Sequence, residues 1–555
     1  MRNWRVNLIL ILICVFWATI LGRLVILQIL QHQFYKAIAE GQQKIVRYAI
    51  GERGEIFLKN GEPLAINKKG KYVFISPKDI KEKEETAKTL SEILGLDKNW
   101  VLEKVSKANF FEPIKHRISD DEEKLLKEKG LKGVYLEEEI YRYYPKKNLT
   151  SHITGFLGGE GRGQYGLEGY YDEILKGEEL LEEKEKGTFG YFNLSKFKET
   201  GGKNIVLTID SNIQFMAGKL LSEAQKDLEF ESGQVIVADP KTGKILALFA
   251  LPNFDPNLYS KENPETFSNP SFQEFYEPGS VFKPIVMASA LNEGKITPKT
   301  TYTDPGIIEI GGWPVYNYDK RVYPGKITMT EVLEKSINTG AVFAERQLGN
   351  KLFSDYIERF GFFEKTGIDL EGEVFSENKE FKKGYEINFV TAAFGQGIEL
   401  TPIQLVRAFS AIANGGNLIT PHIIEKTIPA SELPQKEEKK QVISKDAALQ
   451  TTTMLVSVIE NGFSKKAKIA GYYLTGKTGT AQVSWPALGI KKSGYSSKTW
   501  QTFIGFGPAF DPKFLILVKL DDPKAKTAEY SALPIFKQLA RYIIDYWQIP
   551  PDYEE

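Results

Sequence analysis

The chain opens with Arg2 and Arg5, runs apolar over residues 6–21, and after Arg23 continues through Val25, Ile26, Leu27, Ile29 and Leu30. A helix of about 20 apolar residues matches the hydrocarbon thickness of a bilayer, so this run predicts a membrane helix. Basic residues ahead of it keep the first residues in the cytoplasm and send the rest of the chain across. A single-pass anchor in the cell (inner) membrane with an extracytoplasmic body is therefore expected. A cleaved signal peptide has the same basic start, but no small-residue cleavage site follows, and Leu24, Leu27 and Leu30 carry a helical pattern beyond Arg23.

That address restricts the chemistry. The single cysteine, Cys14, lies inside the span, so the exported part has no thiol for a disulfide or for zinc. The histidines His32, His116, His152 and His422 are scattered, and none forms a pair able to hold a metal on one helical face. Lys+Arg and Asp+Glu balance at 72 each, which leaves no basic excess for nucleic acid. No cofactor is implied.

With 555 residues the chain exceeds one hydrophobic core. We read residues 1–30 as cytoplasmic start and anchor, 31–200 as a first exported domain, 201–549 as a second domain, and 550–555 as a tail. Residues 31–46 predict a helical stalk. Ile56 and Phe57 with Asn60-Gly61 predict a strand closed by a turn. Residues 77–136 carry Ala87, Leu90, Ile93 and Leu94 at helical spacing among Lys and Glu, which predicts solvated amphipathic helices. Residues 141–177 turn aromatic and Gly-rich, as at a junction. The second domain opens with an alternating strand over 204–210, and Asp210 is placed to cap the helix that follows. Strands are expected over 233–239, 245–250, 472–483, 499–507 and 514–520, with helices over 280–291, from Ser336, and over 533–546. Successive strands followed by a helix predict an α+β fold, an antiparallel meander covered by helices.

Three short motifs carry chemistry, and each recurs by chance in a Lys-rich chain. S-x-x-K occurs at Ser195, Ser280 and Ser376, K-T-G at Lys241, Lys365 and Lys477, and S-x-N at Ser336 and Ser376. Context separates them. Glu277-Pro278-Gly279-Ser280 makes a tight turn into a helix, with Pro284 where a missing N–H costs little. Lys283 then stands one turn above Ser280 on the same face, able to take its hydroxyl proton. Ser195 and Ser376 sit in charged text and read as surface. Lys477-Thr478-Gly479-Thr480 stands in strand text, where a glycine admits another backbone along the edge, so Lys477 and Thr478 could face the carboxylate of a peptide laid there. Lys241 and Lys365 lie in turns.

In the order Ser280, Ser336, Lys477 these motifs match the set used by β-lactamases and penicillin-binding proteins. Together with Arg53-Gly54, Asn60-Gly61, Arg142, Tyr144-Pro145, Gly166-Leu167-Glu168, Leu207-Thr208-Ile209-Asp210 and Thr242-Gly243, the chain resembles the class B penicillin-binding proteins over nearly its whole length. The resemblance implies a non-catalytic pedestal, the dimerisation domain of the family, ahead of a transpeptidase domain of β-lactamase-like fold. It implies acylation of Ser280, Lys283 as base, Ser336 as proton relay, Asn338 as a substrate contact, and Lys477 with Thr478 as carboxylate site. It places Gly479 and Thr480 among the substrate-binding residues, and in the family pattern the N–H groups of Ser280 and Thr480 would form the oxyanion hole. Two positions depart from the family pattern: Leu58-Lys59 replaces the usual Asp-Arg, and Lys147 stands where glycine is common.

The implied reaction is D,D-transpeptidation of peptidoglycan stem peptides, with covalent binding of β-lactams. The implied partners are the membrane, a polytopic glycan polymerase and other division proteins. The Glu277-Pro278-Gly279-Ser280, Ser336-Ile337-Asn338 and Phe503-Ile504-Gly505-Phe506-Gly507-Pro508 runs look more like the division enzymes than the elongation ones. A hydrolase, either β-lactamase or D,D-carboxypeptidase, shares the triad but needs a deacylating water, and the large pedestal argues against it. A non-catalytic β-lactam sensor or division scaffold is the remaining rival.

Overall fold

The structure, a computed structural model, describes residues 4–31, 49–50, 52–176, 179–180, 201–430 and 439–554. The expected stalk, beyond its first residue, and the Ser195 motif lie outside them. The chain packs as two compact units, Met1–Arg53 with Asn67–Tyr143 and Gly177–Gly201, and Gly54–Ile66 with Tyr144–Lys176 and Gly202–Glu555. Segments 54–66 and 144–176 fall with the second unit because Ile56, Leu64, Tyr144 and Leu167 share one core with Ile205, Ile236 and Leu248.

In the first unit the N-terminus is helical over Trp4–Val25 and continues in a wider turn over Ile26–Leu30. Leu10–Gln28 gives a largely apolar span of 19 residues, none buried, which at 1.5 Å per residue reaches about 28 Å and suffices to cross a bilayer. The same unit holds the amphipathic helices Lys83–Leu94, Lys98–Ser106 and Asp120–Lys129. Ala87, Leu90 and Leu94 are buried with Val101, Val105 and Leu126, so the leucine spacing marks the inner face. Gly95 and Gly130 end two of these helices in the left-handed conformation. The charged text had hidden two strands, Glu112–Lys115 and Val134–Tyr143, which pair with Pro63–Ile75. Its alternation is masked because Val134–Tyr143 is only partly buried on both faces.

The second unit is built on a five-stranded antiparallel sheet in the order Ile245–Leu251, Ser232–Ala238, Phe514–Asp521, Tyr495–Gly507, Lys477–Ser484. Both faces are covered, and side chains alternate between two cores as a pleated strand requires. Val235, Val237, Phe503, Ile516 and Val518 face the helices Ser211–Leu228 and Ala532–Trp547. Ile236, Ile504, Phe506, Leu515 and Leu517 face the opposite core, shared with the helices Lys283–Asn292, Pro402–Ala413 and Lys445–Glu460. Burial on both sides explains why all seven residues of Ile245–Leu251 are buried.

The last strand begins at Lys477 and not at 472, because the preceding residues bind the chain end. Tyr472 donates its hydroxyl to Ile549 O at 2.6 Å, and Tyr473 N–H donates to Asp552 Oδ2 at 2.8 Å. Tyr495–Gly507 starts before the expected 499 because Tyr495 still pairs with Ser484, although pairing with Phe514–Asp521 begins only at Trp500. Asp210 caps its helix as expected, accepting from Asn212 N–H at 2.9 Å and Ile213 N–H at 3.1 Å. Asp210→Ala should cost about 1 kcal/mol of stability, with Asp210→Asn costing less, as read by thermal unfolding of the detergent-solubilised chain.

Candidate active site

The residues ahead of Ser280 are pinned before they turn. Tyr276 and Leu400 exchange backbone hydrogen bonds of 2.9 and 3.1 Å, and Gly279 N–H donates to Gly395 O at 2.9 Å. Gly279 then adopts φ +61°, a left-handed conformation that a side chain would strain. One tight turn, Gly279–Phe282, leads into the helix Lys283–Asn292. Val281, Phe282, Ile285 and Val286 fix that turn from behind, all being buried. Ser280 remains half-buried, and among the described residues its hydroxyl has no hydrogen-bond partner.

Lys283, one turn on, is fully buried. Its amine contacts three oxygens: Ser336 O at 2.6 Å, Asn338 Oδ1 at 2.8 Å and Ser336 Oγ at 3.3 Å. The two carbonyl oxygens can only accept from the amine, whereas the Ser336 hydroxyl can accept or donate. Burial, reinforced by the charge of Lys477, holds Lys283 well below the usual lysine range.

Ser336 is not in the helix that the sequence started there; the helix begins at Asn338. Ser336 instead has φ +52°, a left-handed conformation that costs a non-glycine residue about 1–3 kcal/mol. That turn directs its carbonyl at Lys283 and places its hydroxyl between two lysines. Asn338 spends the other end of its amide on Tyr316 O at 2.9 Å.

Lys477 starts the edge strand, almost fully buried, and donates to Ser336 Oγ at 2.9 Å and to Thr478 O at 3.1 Å. Burial brings its amine down to about 7. Two lysines thus share one serine, and burial lowers both amines. Gly479 lets the strand approach the nucleophile turn: a Cβ there would lie 2.8 Å from Pro278 O and 3.0 Å from Val281 Cγ1. Thr480 Oγ1 accepts from Ala528 N–H at 3.2 Å. Lys477–Ser484 pairs with Tyr495–Gly507 on one side only, so its other edge faces Ser280.

The structure thus brings Ser280, Lys283, Ser336, Asn338, Lys477, Thr478, Gly479 and Thr480 together. The decoys lie elsewhere. Lys241 pairs with Asp511 in a turn, and Lys365 gives its carbonyl to Arg407. Ser376 is not surface text: it is buried, donating to Glu399 Oε2 at 2.7 Å and accepting from Asn378 N–H at 3.2 Å, while Lys379 points to solvent beside Glu377. Its polar neighbours in sequence disguised a turn that satisfies itself internally. Sequence reading passed over Glu277, buried three residues before the nucleophile. Burial raises its carboxyl to about 7, and the Tyr495 hydroxyl hydrogen-bonds it at 3.0 Å. No local pattern announces that contact, since Tyr495 lies 218 residues away.

A serine flanked by buried amines, with no histidine among these groups, sets the site apart from histidine-dependent serine hydrolases and places it with acyl-serine enzymes that use lysine. The comparisons agree. A model of the penicillin binding protein transpeptidase domain matches residues 233–541, and one of the penicillin-binding protein dimerisation domain matches residues 49–207. Stage V sporulation protein D of Bacillus subtilis is 36% identical over 495 residues, covering 85% of this chain and 74% of that protein. The probable peptidoglycan D,D-transpeptidase PenA of Neisseria gonorrhoeae is 30% identical, covering 94% of this chain and 89% of its own. Penicillin binding protein 3 from Mycobacterium tuberculosis, solved with aztreonam, shares the fold with TM-score 0.70 at 24% identity, over 91% of this chain and 98% of that one. The chain belongs to the penicillin-binding protein transpeptidases, as a class B member.

Gly479→Ala should slow covalent penicillin labelling by about tenfold or more, because the strand must withdraw from Pro278 O. Stopped-time gel fluorescence with a labelled penicillin measures it, and native-like labelling would show that the approach is not needed.

Proposed function

We propose that this protein is a peptidoglycan D,D-transpeptidase of the septal type, with Ser280 as its acylated residue. The observation that carries the reading is the Ser336 hydroxyl set 3.3 Å from one buried amine and 2.9 Å from another, beside the turn that presents Ser280. In this reading Ser280 Oγ attacks the carbonyl of the penultimate D-Ala of a donor stem peptide, and its proton passes to neutral Lys283. The N–H groups of Ser280 and Thr480 hold the oxyanion. The proton returns through Ser336 to the leaving amine, terminal D-Ala departs, and the acyl group remains on Ser280. An acceptor amine then attacks the ester, giving the cross-link and restoring the serine. Lys477 and Thr478 take the terminal carboxylate, Asn338 contacts the peptide, and the strand edge over Gly479 and Thr480 takes its backbone.

The septal assignment is supported by 30% identity to a peptidoglycan D,D-transpeptidase FtsI homolog of Mesostigma viride, over 96% of this chain. The apolar N-terminal helix and the basic residues ahead of it support a single-pass topology, N-terminus in the cytoplasm and catalytic unit outside. A polytopic glycan polymerase, which would supply the strands to be cross-linked, and other division proteins are the partners this reading implies.

Ser280→Ala should abolish covalent labelling by penicillin while the chain remains folded. Lys283→Arg, whose guanidinium stays charged, should slow labelling by about 10² to 10⁴. In the native chain the acid limb of the labelling rate should fall far below the ordinary lysine range, because acylation needs neutral Lys283 and is lost as pH drops through its lowered pKa. Label persisting on Ser280→Ala would sink the nucleophile assignment.

Once formed, the ester is resolved by whichever nucleophile stands in line beside a base. The penicillin adduct should therefore outlast a lactamase turnover, and cross-linked dimeric muropeptides should appear when glycan polymer is supplied. Mass spectrometry of the adduct and chromatography of the muropeptides check both. Rapid loss of the adduct without dimers would favour the hydrolase.

A further inference from the structure

The helix Asn338–Leu348 begins without a local cap: Ile337 holds the N-cap position and offers no side-chain acceptor. Its first turn is satisfied from elsewhere. Thr339 N–H donates to Asn317 Oδ1 at 3.0 Å, across 22 residues of chain. Asn317 is in turn oriented by Asp304, to whose Oδ2 it donates at 2.9 Å. Thr339 donates its own hydroxyl to Asp304 Oδ1 at 2.7 Å. Gly306 N–H at 2.9 Å and Tyr323 N–H at 2.8 Å complete four hydrogen bonds to this carboxylate. Asp304, Asn317 and Thr339 are 6%, 4% and 1% exposed. Although burial opposes it, these donors hold the Asp304 carboxyl below its usual range, so it stays an acceptor on all sides.

The frame lies directly behind the catalytic groups. Tyr316, next to Asn317, accepts from Asn338 Nδ2, and Asn338 Oδ1 accepts from Lys283. Ser336, two residues earlier, keeps a left-handed backbone that only its surroundings can enforce.

We infer that Asp304, Asn317 and Thr339 are positioning residues for acylation, a buried frame that holds Ser336 and Asn338 against Lys283. Among the described residues none of the three hydrogen-bonds to Ser280 or Lys283. The inference rests on the assignment of Ser280 and Lys283 given above.

The test uses the full-length chain in detergent and a labelled penicillin. Thr339→Val keeps the shape and loses the hydroxyl, Asp304→Asn replaces one of two oxygens, each of which accepts from two donors, by an NH2 group, and Thr339→Ser keeps the hydroxyl. Thr339→Val and Asp304→Asn should slow acylation roughly tenfold to a hundredfold, with the labelled fraction at saturation unchanged, and Thr339→Ser should restore the native rate. Among the described residues the charged and polar side chains recorded against Lys283 are Lys477, Ser336 and Asn338. A loosened Asn338 carbonyl stabilises the Lys283 ammonium less, so the acid limb should move to lower pH in the slowed variants. Native rates in Thr339→Val, a fall in labelled fraction in place of rate, or Thr339→Ser as slow as Thr339→Val would overturn the frame. Ser280→Ala run alongside separates the two readings, since label on that variant would unseat the nucleophile whatever the Thr339 series does.

Discussion

Two lysine amines buried against one serine side chain are the constraint around which the catalytic unit is arranged. A buried ammonium without partners is costly, and two side by side are costlier still. The fold meets this by surrounding Lys283 with carbonyl oxygens from Ser336 and Asn338 and by giving Lys477 the Ser336 hydroxyl and the Thr478 carbonyl. Each contact demands a backbone feature: the left-handed turn at Ser336, a helix that starts at Asn338, and a strand that starts at Lys477. Glycine at 479 then allows that strand to reach the turn bearing Ser280.

The central sheet was legible in the sequence because its strands are buried on both faces and read as apolar runs, as in Ile245–Leu251 and Phe514–Asp521. The capped helix after Asp210 was legible because the cap and the helix are neighbours in the chain. Strands Glu112–Lys115 and Val134–Tyr143 were not, since they carry charge on both sides and gain their definition from pairing. The start of the last strand was misjudged for a similar reason: a segment some 80 residues away claims the Tyr472 hydroxyl and the Tyr473 backbone N–H.

The site divides in the same way. Ser280 with Lys283 is a local pattern, readable from Pro278, Gly279 and Pro284. Which of three K-T-G runs mattered could be argued from strand context, and Lys477 proved to be the buried one. Residues that join distant segments left no trace: Glu277 with Tyr495, or Asp304 with Asn317 and Thr339. One departure from family pattern has a geometric meaning. Lys147, at a place where glycine is common, has φ +48°, so the chain accepts there the strain that a glycine would avoid.

The shared serine also makes ligand binding a proton-coupled event. With Lys283 held well below the usual range and Lys477 brought down to about 7, the pair carries less than its full positive charge near neutral pH. An anion placed against Lys477 favours its ammonium form, so part of the population must take up a proton from solution as the anion binds. Heats of binding measured in buffers of different ionisation enthalpy would then differ by a fraction of one proton per ligand, and the apparent affinity for a carboxylate would weaken as the medium becomes more alkaline. The site thus selects anions most strongly on the acid side of neutrality, while Lys283 supplies its lone pair best on the alkaline side.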